Sequence, residues 1–153
     1  MARMTQAYHL AQANWARMRA PLDDPLLDGF RERLEPINAL AEASPGFVWR
    51  LVGDDGTSTS IRAFEDERIL FNQSVWESLD ALKAYTFKTA HVELLQDRGR
   101  WFETPDKAPL VLWWIAAGTQ PSAADGRAKL EELWAGGPGP GAFTFRDLFD
   151  PPH

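Results

Sequence analysis

Residues 74–91 hold the side chains best suited to chemistry. Along Ser74-Val75-Trp76-Glu77-Ser78-Leu79-Asp80-Ala81-Leu82-Lys83-Ala84-Tyr85, a strand pattern ends at a tryptophan and a helix pattern opens two residues later at Ser78. Tyr85 and His91 then stand six residues apart. A neutral imidazole near pH 7 can act as base, acid or ligand, which makes His91 the candidate catalytic acid/base. Tyr85 is the candidate catalytic partner, because a phenol can orient a substrate oxygen. Each has a structural alternative: His91 bonded to a helix end, Tyr85 as a core aromatic.

A flat apolar ligand would stack on indole rings. Of the seven tryptophans, Trp49, Trp76, Trp101 and Trp113 are candidates for substrate binding, with Trp114 beside them in sequence. Core packing would use them equally well, and a buried indole also wants a partner for its N–H. Asn14, Arg50, Asn72 and Ser74 are polar residues inside strand patterns. A buried polar group left unpaired costs about 1–3 kcal/mol, so these side chains hydrogen-bond a ligand or face water. Asn14 and Asn72 join the candidate binding set, while Arg50 is expected in an exposed or interfacial ion pair. His9 is a further candidate for substrate binding, on a face that depends on register.

Other chemistries are excluded by what the chain lacks. The formal net charge of -6, with no basic run, argues against nucleic acid as a partner. With no cysteine there is no disulfide, thiolate nucleophile or cysteine metal site. No G-x-G-x-x-G, phosphate loop, G-x-S-x-G or H-E-x-x-H occurs. His9, His91 and a terminal His153 expected to be disordered lie far apart, so no metal and no cofactor is expected. No run approaches the roughly 18 apolar residues of a membrane span, and Met1 to Gln6 lacks a signal-peptide core. A cytoplasmic protein with no membrane partner is the expectation. At 153 residues and 44% hydrophobic content, one domain over 1–153 is the natural count.

These residues need a scaffold. Alternation predicts a strand from Gln6 to Trp15, with Tyr8, Leu10, Gln12 and Asn14 on one face and His9, Ala11, Ala13 and Trp15 on the other. Asp23 or Asp24 caps a helix that Pro25 opens and that runs to about Ala43, kinked at Pro36. Strands follow at Phe47 to Val52 and Arg68 to Trp76, joined by a loose hairpin tip through Asp54-Asp55-Gly56 to Ser60, with a short extension at Ile61 to Phe64. Ser78 caps the next helix, and a second helical piece runs from about Thr89 to Phe102. Pro109 to Ala117 is an apolar strand covered on both faces. Ser122 and Asp125 form a capping box for a last helix that stops at Gly136-Gly137-Pro138. The segment Gly136–Gly141 is a linker to a short fifth strand at Ala142 to Arg146.

The order β-α-β-β-α(α)-β-α-β predicts an α+β chain built on the ferredoxin-like split βαβ unit, a four-stranded antiparallel sheet with helices on one face. Too few residues remain for a second layer, so a homodimer is expected, with the open faces of two sheets meeting in a dimeric α/β barrel.

The stretches His-Leu-Ala-Gln-Ala-Asn at 9 to 14, Pro-Gly-Phe-Val-Trp-Arg at 45 to 50 and Asn-Gln-Ser-Val-Trp-Glu-Ser at 72 to 78 together carry a resemblance. With His91, Arg-Trp-Phe at 100 to 102 and Leu-Trp-Trp at 112 to 114, the chain resembles an uncharacterised bacterial family, a domain of unknown function. That family is similar to the dimeric α/β-barrel superfamily of antibiotic-biosynthesis monooxygenases, aldoxime dehydratases, muconolactone isomerases and haem-degrading enzymes. In the monooxygenase-like branch the third strand ends in Trp, and a helix with a His and a second His six residues later comes next. Trp76 and His91 match, and Tyr85 stands where the first His would be. The resemblance implies a small-molecule-binding protein, acting as a cofactor-independent monooxygenase or isomerase on an aromatic or polyketide-like compound. The alternative is a non-catalytic module for a small apolar ligand, or for haem held by His91 or His9.

Overall fold

The computed structural model of the chain describes residues 7–53, 61, 63–89 and 91–152. The expected hairpin tip at 54–60, Met1–Gln6 and His153 lie outside the described residues. Among the described residues the strands and α-helices run β1 (Tyr8–Arg17), α1 (Asp28–Ala43), β2 (Phe47–Arg50), β3 (Ile69–Trp76), α2 (Leu79–Lys88), α3 (His91–Asp97), β4 (Leu110–Ala116) and α4 (Ala123–Gly136). The sheet is antiparallel in the order β2-β3-β1-β4, the ferredoxin-like arrangement of a split βαβ unit. β1, a central strand, pairs on both sides.

The local signals explain the boundaries. The Asp24 side chain accepts from the Leu26 N–H to start a 3-10 turn at Pro25–Leu27, which leads into α1. α1 runs through Pro36 as one helix. Glu32, whose carbonyl Pro36 cannot bond, and Pro36 itself are exposed, so water can serve the freed oxygen. The Ser78 hydroxyl accepts from the Ala81 N–H at 3.1 Å and starts α2. Ser122 and Asp125 exchange both bonds of the capping box at α4, and Gly137 ends that helix at φ 74°. The helical piece expected to Phe102 is shorter, ending as α3 and a 3-10 turn at Arg98–Arg100. The extension at Ile61 to Phe64 forms no strand in its described residues. The fifth strand is reduced to isolated bridges: Leu112↔Phe143 to the sheet, with bonds of 2.7 and 2.8 Å, and Gly139↔Ala142 beside it.

Register sorts the side chains into rows across the sheet. One face carries Trp114–Leu10–Trp76–Phe47, then Leu112–Gln12–Ser74–Arg50, then Leu110–Asn14–Asn72. α1 and α2 cover this face, with Ala41 and Leu82 packed against Leu10, Trp76 and Leu112. The opposite face carries Ala11, Ala13, Trp15, Phe71, Val75, Val111 and Trp113, and packs against Leu130 and Leu133 of α4.

That packing corrects the ground for a dimer. The face expected to be open, and sealed by a second chain in a barrel, is closed by the chain's own α4. Ala11, Ala13, Val75, Val111 and Gln73 on it are fully buried within one chain. A fourteen-residue helix is enough for this cover because the sheet has four strands and β2 is only four residues long.

Candidate functional site

Three rings stack beside the end of β3. Trp76 lies on Tyr85 at 5.0 Å between centroids and 25° between planes. Tyr85 lies on His91 at 4.9 Å and 47°. Phe47 meets Trp76 edge-on at 5.5 Å. α2 makes this arrangement by presenting Tyr85 over the strand that carries Trp76, and the short break at Thr89 turns the chain so that His91 returns behind Tyr85. The Tyr85 ring therefore stands between Trp76 and His91.

Hydrogen bonds define the protonation states. His91 Nδ1 lies 3.3 Å from the Thr86 carbonyl. A carbonyl only accepts, so Nδ1 carries the proton and Nε2 keeps its lone pair. Burial holds the His91 pKa below the ordinary 6.5, opposed by that hydrogen bond, so the ring is neutral at pH 7. Tyr85 Oη donates to the Ile37 carbonyl at a long 3.4 Å. Burial pushes its phenol up to about 12, against the pull of the Arg50 charge, so it is a donor and not a phenolate across the neutral range.

The neutral His91 has a consequence for stability. The unfolded chain takes up its proton near 6.5 while the folded chain resists, so the unfolded state binds more protons in the window below that value. His91 thus contributes stability above about pH 6.5 that drains away on acidification. Asp66, held low by the Arg68 N–H, and Asp97, held low by Arg33, titrate below the ordinary 3.8 and outside this window. Urea midpoints measured from pH 7 to pH 5 should fall, and His91→Gln should flatten the fall. An equal fall in both proteins assigns the titration to another group.

Next to the ring stack lies a polar group of side chains in the middle rows of the same face. Gln12 Nε2 donates to Ser74 Oγ at 2.8 Å and to Asn72 Oδ1 at 2.9 Å. Asn14 Nδ2 donates to Gln12 Oε1 at 2.8 Å and, at 3.4 Å, to Asn72 Oδ1. Trp76 Nε1 donates to Ser74 Oγ at 2.9 Å, which links the polar rows to the rings. Among the described residues the Asn72 amide N–H groups and the Asn14 carbonyl oxygen have no protein partner. Arg50 lies at the edge of these rows, beside Ser74 in register, with Nε on Glu42 at 3.1 Å and Nη1 buried without a partner among the described residues. The ion pair expected for Arg50 is present, but the guanidinium is mostly covered, with 19% of the side chain exposed.

The sequence candidates divide between the two faces. Asn14, Asn72, Trp76, Tyr85 and His91 come together on the α1 face. His9, Trp49 and Trp113 lie on the α4 face, across the sheet. A bulge between Phe47 and Trp49 sends Trp49 there, and His9 Nδ1 is buried with no partner among the described residues. Trp101 is buried against Phe30 and Met18 at the far end of the α1 face, under the Arg33 guanidinium at 5.0 Å. Gln12 is the residue that sequence reasoning missed. Its place between Leu10 and Asn14 on one strand face was the available signal.

Grooves of about 390 Å³ border Leu22, Asp23 and Arg31, and Ala63, Phe64, Glu65, Glu67 and Arg127, and neither touches Trp76, Tyr85 or His91. Among the described residues no cluster of His, Asp and Glu could hold a metal ion, and no helix is long and apolar enough to cross a membrane.

The family model described as "Domain of unknown function (DUF3291)" matches residues 9–153. No curated protein matches the chain. Among solved structures, the chain is similar to SnoaB, a cofactor-independent oxygenase from Streptomyces nogalater, at 15% identity over 74% of this chain and 97% of that one, with a TM-score of 0.49. A protein of unknown function from Nitrosomonas europaea is 10% identical over 77% of this chain and 99% of its own, with a TM-score of 0.49. A monooxygenase from Streptomyces coelicolor in complex with nanaomycin D is 13% identical over 76% and 94%, with a TM-score of 0.41.

Proposed function

The chain belongs to the DUF3291 family, whose function is unknown, and from its own side chains we propose that it binds a small planar molecule bearing a phenolic or enolic oxygen on the α1 face of the sheet. One observation carries this reading: four neutral polar side chains, Gln12, Asn14, Asn72 and Ser74, occupy the middle rows of a face whose neighbouring row is apolar, with Arg50 at their edge. Apolar residues there would be cheaper, since every buried polar group must be paired. The cluster pairs with itself yet leaves the Asn72 amide and the Asn14 carbonyl to engage a ligand oxygen. Trp114, the partly exposed end of the neighbouring row, suits an aromatic ring, and the Nη1 of Arg50, without a partner among the described residues, suits an anionic oxygen.

Catalysis is the finer reading. A cofactor-independent monooxygenase or isomerase acting on an aromatic or polyketide-like compound needs a base to form a stabilised carbanion. His91, with a free Nε2, is the available base, and Tyr85 the available donor. The substrate would have to pass the Tyr85 ring to reach His91, and this specific obstacle favours the second reading, a binding module without turnover.

Calorimetric titration with 2-naphthol and its methyl ether tests the proposal, with dissolved-oxygen uptake recorded in parallel. The naphthol should bind more tightly than the ether, and Asn72→Ala should weaken it about tenfold, the effect of one hydrogen bond of roughly 1.4 kcal/mol. His91→Gln should leave affinity unchanged and abolish any oxygen uptake. Equal affinity for naphthol in the Asn72→Ala variant removes the reading.

A further inference from the structure

Helices cover only part of the α1 face. α1 packs on β2 and α2 on β3. Toward β4 the same face is closed by the C-terminal chain, through Phe143, Phe145 and Phe149. Phe143 is built in, fully buried and bridged to Leu112. Residues 144–152 are different. They form no helix or strand, and their internal bonds are local, from the Arg146 and Asp147 N–H groups to Thr144 Oγ1. They are tied to the sheet through Trp114 Nε1, which donates to the Phe149 carbonyl at 2.8 Å. Two ring contacts add to the attachment: Phe149 on Phe143 at 5.8 Å, and Phe145 on the half-exposed Phe87 at 5.2 Å.

We infer that residues 144–152 are an internal occupant of the ligand cleft, with Phe149 beside Trp114 holding the place of an aromatic ligand's ring. This rests on the binding proposed above and supplies its gate. Trp114, to which the strap is bonded, is the β4 end of the row Trp114–Leu10–Trp76, which runs alongside Gln12, Ser74, Asn14 and Asn72, while Leu10 and Trp76 lie under Ala41, Leu82 and Tyr85. A ring laid against Trp114 and Phe143 in place of Phe149 lies at the β4 end of that row, with its hydroxyl directed toward the polar side chains. Phe143, Phe145 and Phe149 pack there against the same apolar cluster. Irregular segments with few ties open before the core does, and a ligand that binds only the open form has its apparent affinity reduced by the open fraction.

Two variants and one exchange measurement decide it, with 2-naphthol as the probe. Phe149→Ala weakens the strap without touching the row beneath, and a chain ending at Arg146 removes most of it while keeping Phe143. Both should bind 2-naphthol at least about fivefold more tightly than the intact chain, the effect of one released hydrogen-bond-sized restraint. Saturating naphthol should speed hydrogen exchange of the amides at 145–150 in the intact chain while β1 stays protected. Unchanged or weaker binding in Phe149→Ala, or slower strap exchange with naphthol, overturns the inference, since Phe149 is then part of the ligand's wall. In that outcome a tenfold loss in Asn72→Ala would still uphold the binding reading. No naphthol binding by the intact chain or either variant removes both.

Discussion

Gly126→Ala should destabilise the chain by about 2 kcal/mol, although alanine is the better helix former by roughly 1 kcal/mol. Gly126 lies buried inside α4, over β3. A Cβ at this position would overlap Gln73 Oε1 and stand 2.7 Å from Phe71 Cζ. Neither can retreat. Gln73 is fully buried, with Nε2 donating to the Pro121 carbonyl at 2.9 Å and the Ser122 carbonyl at 3.0 Å. Phe71 is itself in the core at 2% exposure. The relief has to come from moving α4 away from the sheet, which loosens Leu130 and Leu133 as well. Overpacking of this kind costs about 1–3 kcal/mol and sometimes more, and here it outweighs propensity. For a chain of this size the thermal midpoint should fall by about 4–8 °C. In a Gln73→Ala background the new methyl meets only the Phe71 ring, so the penalty should shrink by about 1 kcal/mol. A Gly126→Ala protein as stable as the parent would mean that α4 does not lie on this face, and the sheet would again need another cover.

Local signals in the sequence carry most of the fold. Ser78, Ser122 with Asp125, and Gly137 act within three or four residues of themselves, so their capping roles are legible without tertiary structure. The strand alternations at Tyr8–Arg17 and Ile69–Trp76 are legible for the same reason. Which face a helix covers is not a local property. α4 shows an apolar stripe at Leu130 and Leu133, but its side of the sheet depends on the path from β4. A clue was present, because a glycine such as Gly126 inside a helical pattern signals close approach of another element. The candidate site was half legible. Alternate residues of a strand share a face by parity, which grouped Asn14 with Gln12 and Leu10 and set His9 apart from them. The bulge that turns Trp49 to the α4 face leaves no trace in alternation. The C-terminal strap was hidden by its composition. Gly139, Pro140 and Gly141 read as a linker, and the residues beyond them are placed by the aromatic contacts they find, which no local pattern encodes.

Trp76→Ala should cost about 3–5 kcal/mol, a large share of the roughly 5–15 kcal/mol that holds a typical domain together. Trp76 is the largest of the fully enclosed side chains, at 1% exposure. Its removal takes away the stack with Tyr85, the edge contact with Phe47 and the packing on Leu10 and Leu82. The loss of the indole N–H adds little, since Ser74 Oγ still receives Gln12. Trp76→Phe separates these contributions. It keeps a ring for Tyr85 to lie on and gives up the hydrogen bond and part of the volume, for an expected cost of about 1–2 kcal/mol. Urea unfolding should therefore rank the parent first, Trp76→Phe second and Trp76→Ala a distant third. The ranking bears on function as well as stability. Under the binding proposed above, Trp76 backs the ligand site from within the core, so binding and folding would draw on the same contacts. If Trp76→Ala were as stable as the parent to within about 1 kcal/mol, well below the cost of deleting a buried indole, the ring would be an exposed wall. The stack with Tyr85 and His91 would then not be part of the core.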